Sequence, residues 1–213
     1  MEEIVKKAVE NITDFMASID LMLDQARIKI KERNILMMPA KSVISMMKSI
    51  AEITGERAAR QVTYRFGKSA GIEIAKAVFE IYDLKDKLAR IIHGSVIFAA
   101  SGVGFVDILT FKLENDYFES LWECPNSVFV DEFIKGKIEG FNPPVCEFLA
   151  GYSAGWIQES TGIQLDAVEI WCRAQGKDKC RFIIAPPKDL YTAKTNPENL
   201  KPTFQYKVTE VRL

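Results

Sequence analysis

The sequence predicts an α+β fold, with N-terminal helices followed by an antiparallel sheet made of two hairpins separated by a helix. Three observations carry this prediction. Through residue 100, apolar residues recur at the three- and four-residue spacing of helices. From residue 103 the period falls to two, in "VGFVDILTFKL" and again in "YFESLWEC". A second pair of such runs, "IQLDAVEIWC" and "CRFIIAPP", follows another helical stretch. Helices gathered before strands argue against alternating βαβ units and a parallel sheet.

Residues 3–33 read as one long helix. Val5, Ala8, Ile12, Phe15, Ile19, Met22 and Ala26 keep a 3-4-3-4 spacing, the seam of a coiled coil. The stripe is expected to pack on the chain's own body or to pair with a second subunit, and it defines an arm over residues 1–36. The next helix begins near Pro39, whose fixed φ suits a first turn, and stops at Thr54-Gly55. Another runs over residues 56–82, with Gly67 and Gly71 one turn apart on a face that another backbone can approach closely.

"LKDKLARIIHGSVIFAASG" reads as a further helix, ending at Gly102 or Gly104. In the first hairpin, Val103, Phe105, Leu109, Phe111 and Leu113 share a face interrupted by Asp107. Beyond the turn "END", Phe118, Trp122 and Cys124 face away from Glu119 and Glu123. Pro143-Pro144 leads into the helix "VCEFLAGYSAGWIQESTG", closed by Gly162. The second hairpin turns at "RAQGKDK", where Gly176 can take a positive φ, and ends at Pro186-Pro187. Residues 37–187 thus form one ligand-binding domain. Residues 188–213 form a polar tail in which "FQYKV" is a candidate edge strand.

The chain has 213 residues, 48% hydrophobic and 27% charged, with a net charge of −1. That balance offers no general grip on nucleic acid, and no nucleic-acid partner is expected. No apolar run reaches the ~18 residues of a membrane span. The charged start "MEEIVKKAVENITDF" is unlike a signal peptide, so a cytoplasmic protein is expected.

Cysteines stand at positions 124, 146, 172 and 180, too sparse for a disulfide scaffold. Cys172 and Cys180 flank the turn of the second hairpin and can present two sulfurs to one point, half of a tetrahedral zinc site. Glu169 on the same strand and Cys146 on the first turn of the preceding helix are the candidates for the other half. A helix N-terminus favours a thiolate at Cys146. In a flat strand residues 169 and 172 point to opposite faces, so a shared metal requires a bulge or bend between them. Four protein ligands leave no open position, and such a zinc is structural. Arg173, Lys177, Lys179 and Arg181 are expected to offset the site's negative charge. A cross-strand disulfide between Cys172 and Cys180, or unliganded buried thiols, remain open at this point. Cys124, beside Trp122, reads as a buried thiol.

"GERAARQVTYRFGKSAG", "CEFLAGYSAGW" and "VEIWCRAQGKDKCRF" together resemble the 4-vinyl reductase domain family over roughly residues 36–187. The family includes accessory proteins of bacteriochlorophyll synthesis, aromatic-sensing domains of phenol- and xylene-responsive activators, and stand-alone archaeal members. Subunits of a vesicle-tethering particle are more distantly similar. The resemblance implies a homodimeric α+β domain around a mostly apolar pocket. In the aromatic sensors a zinc ion sits between three cysteines and a glutamate, a pattern that falls here on Cys146, Glu169, Cys172 and Cys180. Those sensors read a phenol hydroxyl with a histidine and a tryptophan, which fall on His93 and Trp122.

Phe98, Phe105, Tyr117, Tyr152 and Trp156 come from elements expected to pack together, and with Trp122 they are the candidate walls for a small hydrophobic or aromatic ligand. Met37, Met38, Met46 and Met47 are adaptable additions. No catalytic constellation stands out. The single histidine, His93, has no carboxylate or nucleophile at local spacing, and "GVG" at 102–104 precedes a strand where a dinucleotide fingerprint follows one. The expected function is a sensor or carrier of a small apolar molecule. The alternatives are an accessory reductase or tetrapyrrole-delivery protein, and an interaction module like the tethering subunits.

Overall fold

A computed structural model describes residues 2–136 and 141–190. Among them are seven helices and two antiparallel sheets of three and four strands, an α+β fold. The candidate edge strand "FQYKV" lies outside the described residues.

The long helix expected over residues 3–33 ends early. α1 (Glu2–Ala17) gives way to a meander of β1 (Ile19–Met22), β2 (Arg27–Ile30) and β3 (Arg33–Ile35). Val5, Ala8, Ile12 and Phe15 are buried as the seam requires, and α1 lies along α4 (Lys87–Ala100) of its own chain. Beyond them the seam fails. Ile19 is 38% exposed, and Ala26 takes a left-handed conformation. Ser18 ends the helix by turning its hydroxyl onto the Phe15 carbonyl. After it, Ile19 and Leu21, then Ile28 and Ile30, stand two apart and pair across strands. This strand period had overlain the heptad.

α2 (Ala40–Thr54) starts after Pro39 and stops at Gly55, as the sequence predicts. α3 (Glu56–Ile81) and α6 (Glu147–Thr161) form the closest helix pair. A Cβ placed on Gly67 or Gly71 would stand 2.2 Å from the carbonyl oxygen of Phe148 or Tyr152. On Gly151 it would meet the Tyr64 carbonyl at 2.0 Å, and on Gly155 that of Lys68 at 2.2 Å. Only a residue without Cβ lets two backbones come this near.

α4 is capped by the Asp86 side chain, which accepts from the Ala89 N–H at 2.8 Å. Every residue from Ile91 to Phe98 is buried, so α4 runs through the centre rather than along the surface.

The larger sheet has the order β4-β5-β7-β6, formed by β4 (Asp107–Glu114), β5 (Tyr117–Cys124), β6 (Asp166–Trp171) and β7 (Cys180–Ala185). The two hairpins therefore join through β5 and β7, with Cys124 opposite Cys180. The first strand starts at Asp107 rather than at 103, and a bulge between Ile108 and Thr110 breaks the expected alternation. Ile108 is buried in consequence, while Leu109 is only half-buried.

Phe118, Trp122 and Cys124 are buried as predicted, but Glu123 is buried as well. Lys179 reaches its carboxylate at 2.8 Å, and Arg181 does so alongside. α5 (Val128–Gly136), over a stretch that no periodicity in the sequence announces, covers the core with Phe129 and Val130. A short α7 (Pro187–Leu190) follows β7. No described helix is long and apolar enough to cross a membrane.

Candidate functional site

The bulge required between Glu169 and Cys172 is present, as a register shift between Glu169 and Trp171. The chain then leaves β6 at Cys172, makes a 3-10 turn over Arg173–Gln175 closed by Gly176 at φ +82, and re-enters the sheet at Cys180. Cys146 occupies the N-cap of α6. One ligand atom from each of Cys146, Glu169, Cys172 and Cys180 lies within 4.8 Å of the others. The three cysteines are fully buried free thiols, and Glu169 is partly buried.

The local bonds aim these groups inward. The Cys146 N–H donates to Glu169 Oε2 at 3.3 Å, and the Arg173 N–H to Cys180 Sγ at 3.4 Å. The expected role of the surrounding cations is not what the fold gives them. Arg173 pairs with Asp131, Lys179 and Arg181 with Glu123, and Lys177 lies over the Trp171 ring. Bonds to carboxylates are stronger than bonds to sulfur, and a backbone N–H is what reaches Cys180.

Charge in this cluster is in conflict. Burial, followed by the neighbouring Cys172 thiolate, pushes Glu169 up to about 9. Hydrogen bonds from Cys146 and Cys180 hold Cys172 well below the usual thiol range, despite its burial. Burial then raises Cys146 far above it. The cluster alone thus supports one negative charge and keeps its other members protonated. A divalent cation among them would allow all four to ionise.

The donor set suits zinc. A tetrahedral zinc with ~2.3 Å zinc–sulfur bonds spaces its sulfurs ~3.8 Å apart, and the Cys146 and Cys180 sulfurs are 3.7 Å apart. Glu169 Oε1 is buried without a partner among the described residues, as a carboxylate oxygen reserved for a ligand bond would be. Two neighbours escaped the sequence reading. The Ser127 hydroxyl lies 3.9 Å from Cys146 Sγ. Glu147, next to Cys146, binds Arg60 of α3. Nothing in their local spacing marks them.

The aromatic candidates divide. Phe98 of α4, Trp122 of β5, and Tyr152 and Trp156 of α6 line one enclosed cavity of about 10 Å³, together with Gly94, Ser95, Val106 and Ser153. Phe98 meets Tyr152 with ring centroids 5.3 Å apart, and Tyr152 stacks on Trp156 at 6.4 Å. The indole of Trp156 crosses α4 at Gly94, which has no side chain to block it, and donates to the Arg90 carbonyl at 2.8 Å. Trp122 donates its indole N–H to Ser120 Oγ.

Phe105 and Tyr117 do not line this cavity. The Phe105 N–H binds Asn126 Oδ1, and the Tyr117 hydroxyl donates to Glu119. Met37 and Met38 are exposed and Met47 is core, so the methionines form no wall of it either.

His93, buried one position before Gly94, faces a different, open groove of about 420 Å³ with Ile4, Lys7, Glu10 and Leu84. Its Nδ1 lies 2.7 Å from the Ala89 carbonyl, which can only accept, so Nδ1 carries the proton. Nε2 accepts from Asn11 Nδ2 at 3.0 Å. Burial lowers its pKa, in keeping with this neutral state.

Residues 130–186 match the family model for the 4-vinyl reductase domain, a span that contains the whole cysteine–glutamate cluster. Residues 14–114 match the model described as activator of aromatic catabolism, a span that contains His93 and Phe98. The chain is 23% identical over 176 residues to the transcriptional regulatory protein XylR of Pseudomonas putida, covering 82% of this chain and 31% of the regulator. It therefore spans about a third of that relative's length. Among solved structures, the phenol-responsive sensory domain of the transcription activator PoxR, with phenol, shares the fold. The TM-score is 0.75 at 16% identity, over 91% of this chain and 96% of that one. A vinyl-4-reductase family protein from Methanocaldococcus jannaschii gives a TM-score of 0.43 at 19% identity, over 86% and 95% of the two chains.

Proposed function

Because the chain carries a 4-vinyl reductase domain over residues 130–186, we propose that it is a zinc-stabilised sensor for a small aromatic molecule. The observation that carries this reading is the meeting of Phe98, Trp122, Tyr152 and Trp156 on one enclosed cavity. The fold around it is shared with a domain that responds to phenol. A benzene-sized guest needs a cavity on the order of 150 Å³, against about 10 Å³ here. Binding therefore has to part the walls, and the rearrangement that admits the guest is also what a partner can detect.

In this reading Trp122 and His93 orient the guest's polar group. Each exchanges a present partner, Ser120 or Asn11, to do so. Zinc, held by Cys146, Glu169, Cys172 and Cys180, supplies a cross-link between the β6–β7 turn and the start of α6. The same helix presents Tyr152 and Trp156, so fastening its N-terminus steadies one wall. A second copy of the chain is the proposed cover for Leu21, Leu23, Leu36 and Met37, which are exposed.

The test is calorimetric titration of the purified protein with phenol, and with cyclohexane-1-carboxylate as a control of similar size and different chemistry. Saturable binding of phenol, accompanied by a change in tryptophan fluorescence, is expected. Equal response to both, or to neither, removes the sensor reading.

A further inference from the structure

Ser95 differs from the other helical hydroxyls of this protein. Thr13, Thr54, Ser101, Ser160 and Thr161 each turn back and donate to a carbonyl of the preceding turn, at 2.8–2.9 Å, the ordinary resting place of a hydroxyl on a helix. Ser95, on α4, is 1% exposed, yet its Oγ has no hydrogen-bond partner among the described residues. It lines the cavity between Phe98, Trp122, Tyr152 and Trp156. Thr63 shares the unpartnered state but lines no described cavity.

The other polar groups near this cavity are already engaged. The Trp122 indole is held by Ser120, the Trp156 indole by Arg90, and His93 by Asn11 and Ala89. A buried hydroxyl without a partner costs free energy in the resting protein, and that cost is recovered when a guest supplies the missing bond.

We propose that Ser95 is a specificity-determining residue for the cavity, selecting aromatic molecules that carry a hydroxyl over plain hydrocarbons of the same size. The inference rests on the sensor reading above and adds a contact to it. Ser95 breaks no existing bond in order to bind, and its hydroxyl both donates and accepts, which matches a phenolic O–H. A hydrocarbon entering the same space would leave Oγ as unsatisfied as before.

Calorimetric titration of the wild type and Ser95→Ala with phenol and with toluene tests this, alongside the melting temperature of each protein. The wild type is expected to prefer phenol. Ser95→Ala should lose about fivefold in phenol affinity, the worth of one neutral hydrogen bond. It should bind toluene unchanged and melt no lower than the wild type, since the resting hydroxyl satisfies nothing. Unchanged phenol affinity overturns the assignment, and means that Ser95 meets a buried water only. An equal loss for both ligands, or a lower melting temperature, also overturns it by making Ser95 a packing residue. If the wild type binds neither compound, the sensor reading fails first and takes this contact with it.

Discussion

Asn11 and His93 meet across 82 positions of sequence, with the Asn11 amide donating to the His93 ring at 3.0 Å. The Asn11 carbonyl meanwhile accepts from the Tyr82 hydroxyl. One residue of α1 thus engages both α3's end and α4, in a chain where α1 otherwise docks by its apolar stripe. Asn11→Ala leaves His93 Nε2 buried without a donor. It should cost about 1–3 kcal/mol, the penalty for an unsatisfied buried group, read as a lower urea midpoint with little change in slope. A midpoint equal to that of the wild type would show that the bond is idle.

Elemental analysis of the purified protein should find one zinc per chain. Cys172→Ser should lower metal content and melting temperature together, because metal binding and folding are coupled when the ligands come from distant elements. Glu169→Gln, which keeps the shape and removes the charge, should weaken zinc retention against a chelator. Full retention in both variants would place the metal elsewhere.

Gly71→Ala adds one methyl group where a carbonyl stands 2.2 Å away. α3 and α6 must separate to admit it, at a cost of about 1–3 kcal/mol or more for overpacking. Gly55→Ala, where no atom lies within 4 Å but φ is +86, is the control for conformational strain alone. Thermal denaturation should show the larger loss at Gly71.

Glu123 gives a pH signature. Burial acts to raise its pKa, but the hydrogen bonds and charges of Lys179 and Arg181 outweigh it and lower the value. A carboxyl held down in the folded state contributes stability that is present above the ordinary carboxylate range and is lost as pH falls through the folded value. The wild type should therefore lose stability below about pH 4 more steeply than Glu123→Gln does, in paired urea titrations at each pH. Parallel curves would mean that the two cations do not hold the carboxylate.

Leu23 and Leu36 are 87% and 84% exposed. If a second copy covers them, the double variant Leu23→Glu, Leu36→Glu should sediment as a monomer under conditions where the wild type sediments as a dimer. No shift would move the interface to another face.

Much of this arrangement was legible in the sequence because single residue types have few physical uses. Gly67 and Gly71 announced a close helix contact, and the face conflict between Glu169 and Cys172 demanded the bulge that is there. The long N-terminal helix misled because Ile19 and Met22 fit a heptad and a strand alike, and only Ser18 at the junction separates the two. The partners of Arg173, Lys179 and Arg181 were out of reach. Asp131 and Glu123 lie 42 or more positions away, and choice among carboxylates at that range is made by the sheet. Ser95 was invisible for a similar reason, since the letter is ordinary and only its idle hydroxyl sets it apart.

The glycine contact between α3 and α6 carries a mechanical corollary. Two backbones touching along several turns behave as a single girder, and Tyr152 and Trp156 are bolted to it. Whatever gives way for a guest must then be the opposing side, where Phe98 rides on α4 and Trp122 on β5. Motion admitted there is steered along α4 towards His93, and so to the amide of Asn11 at the outer rim of the molecule.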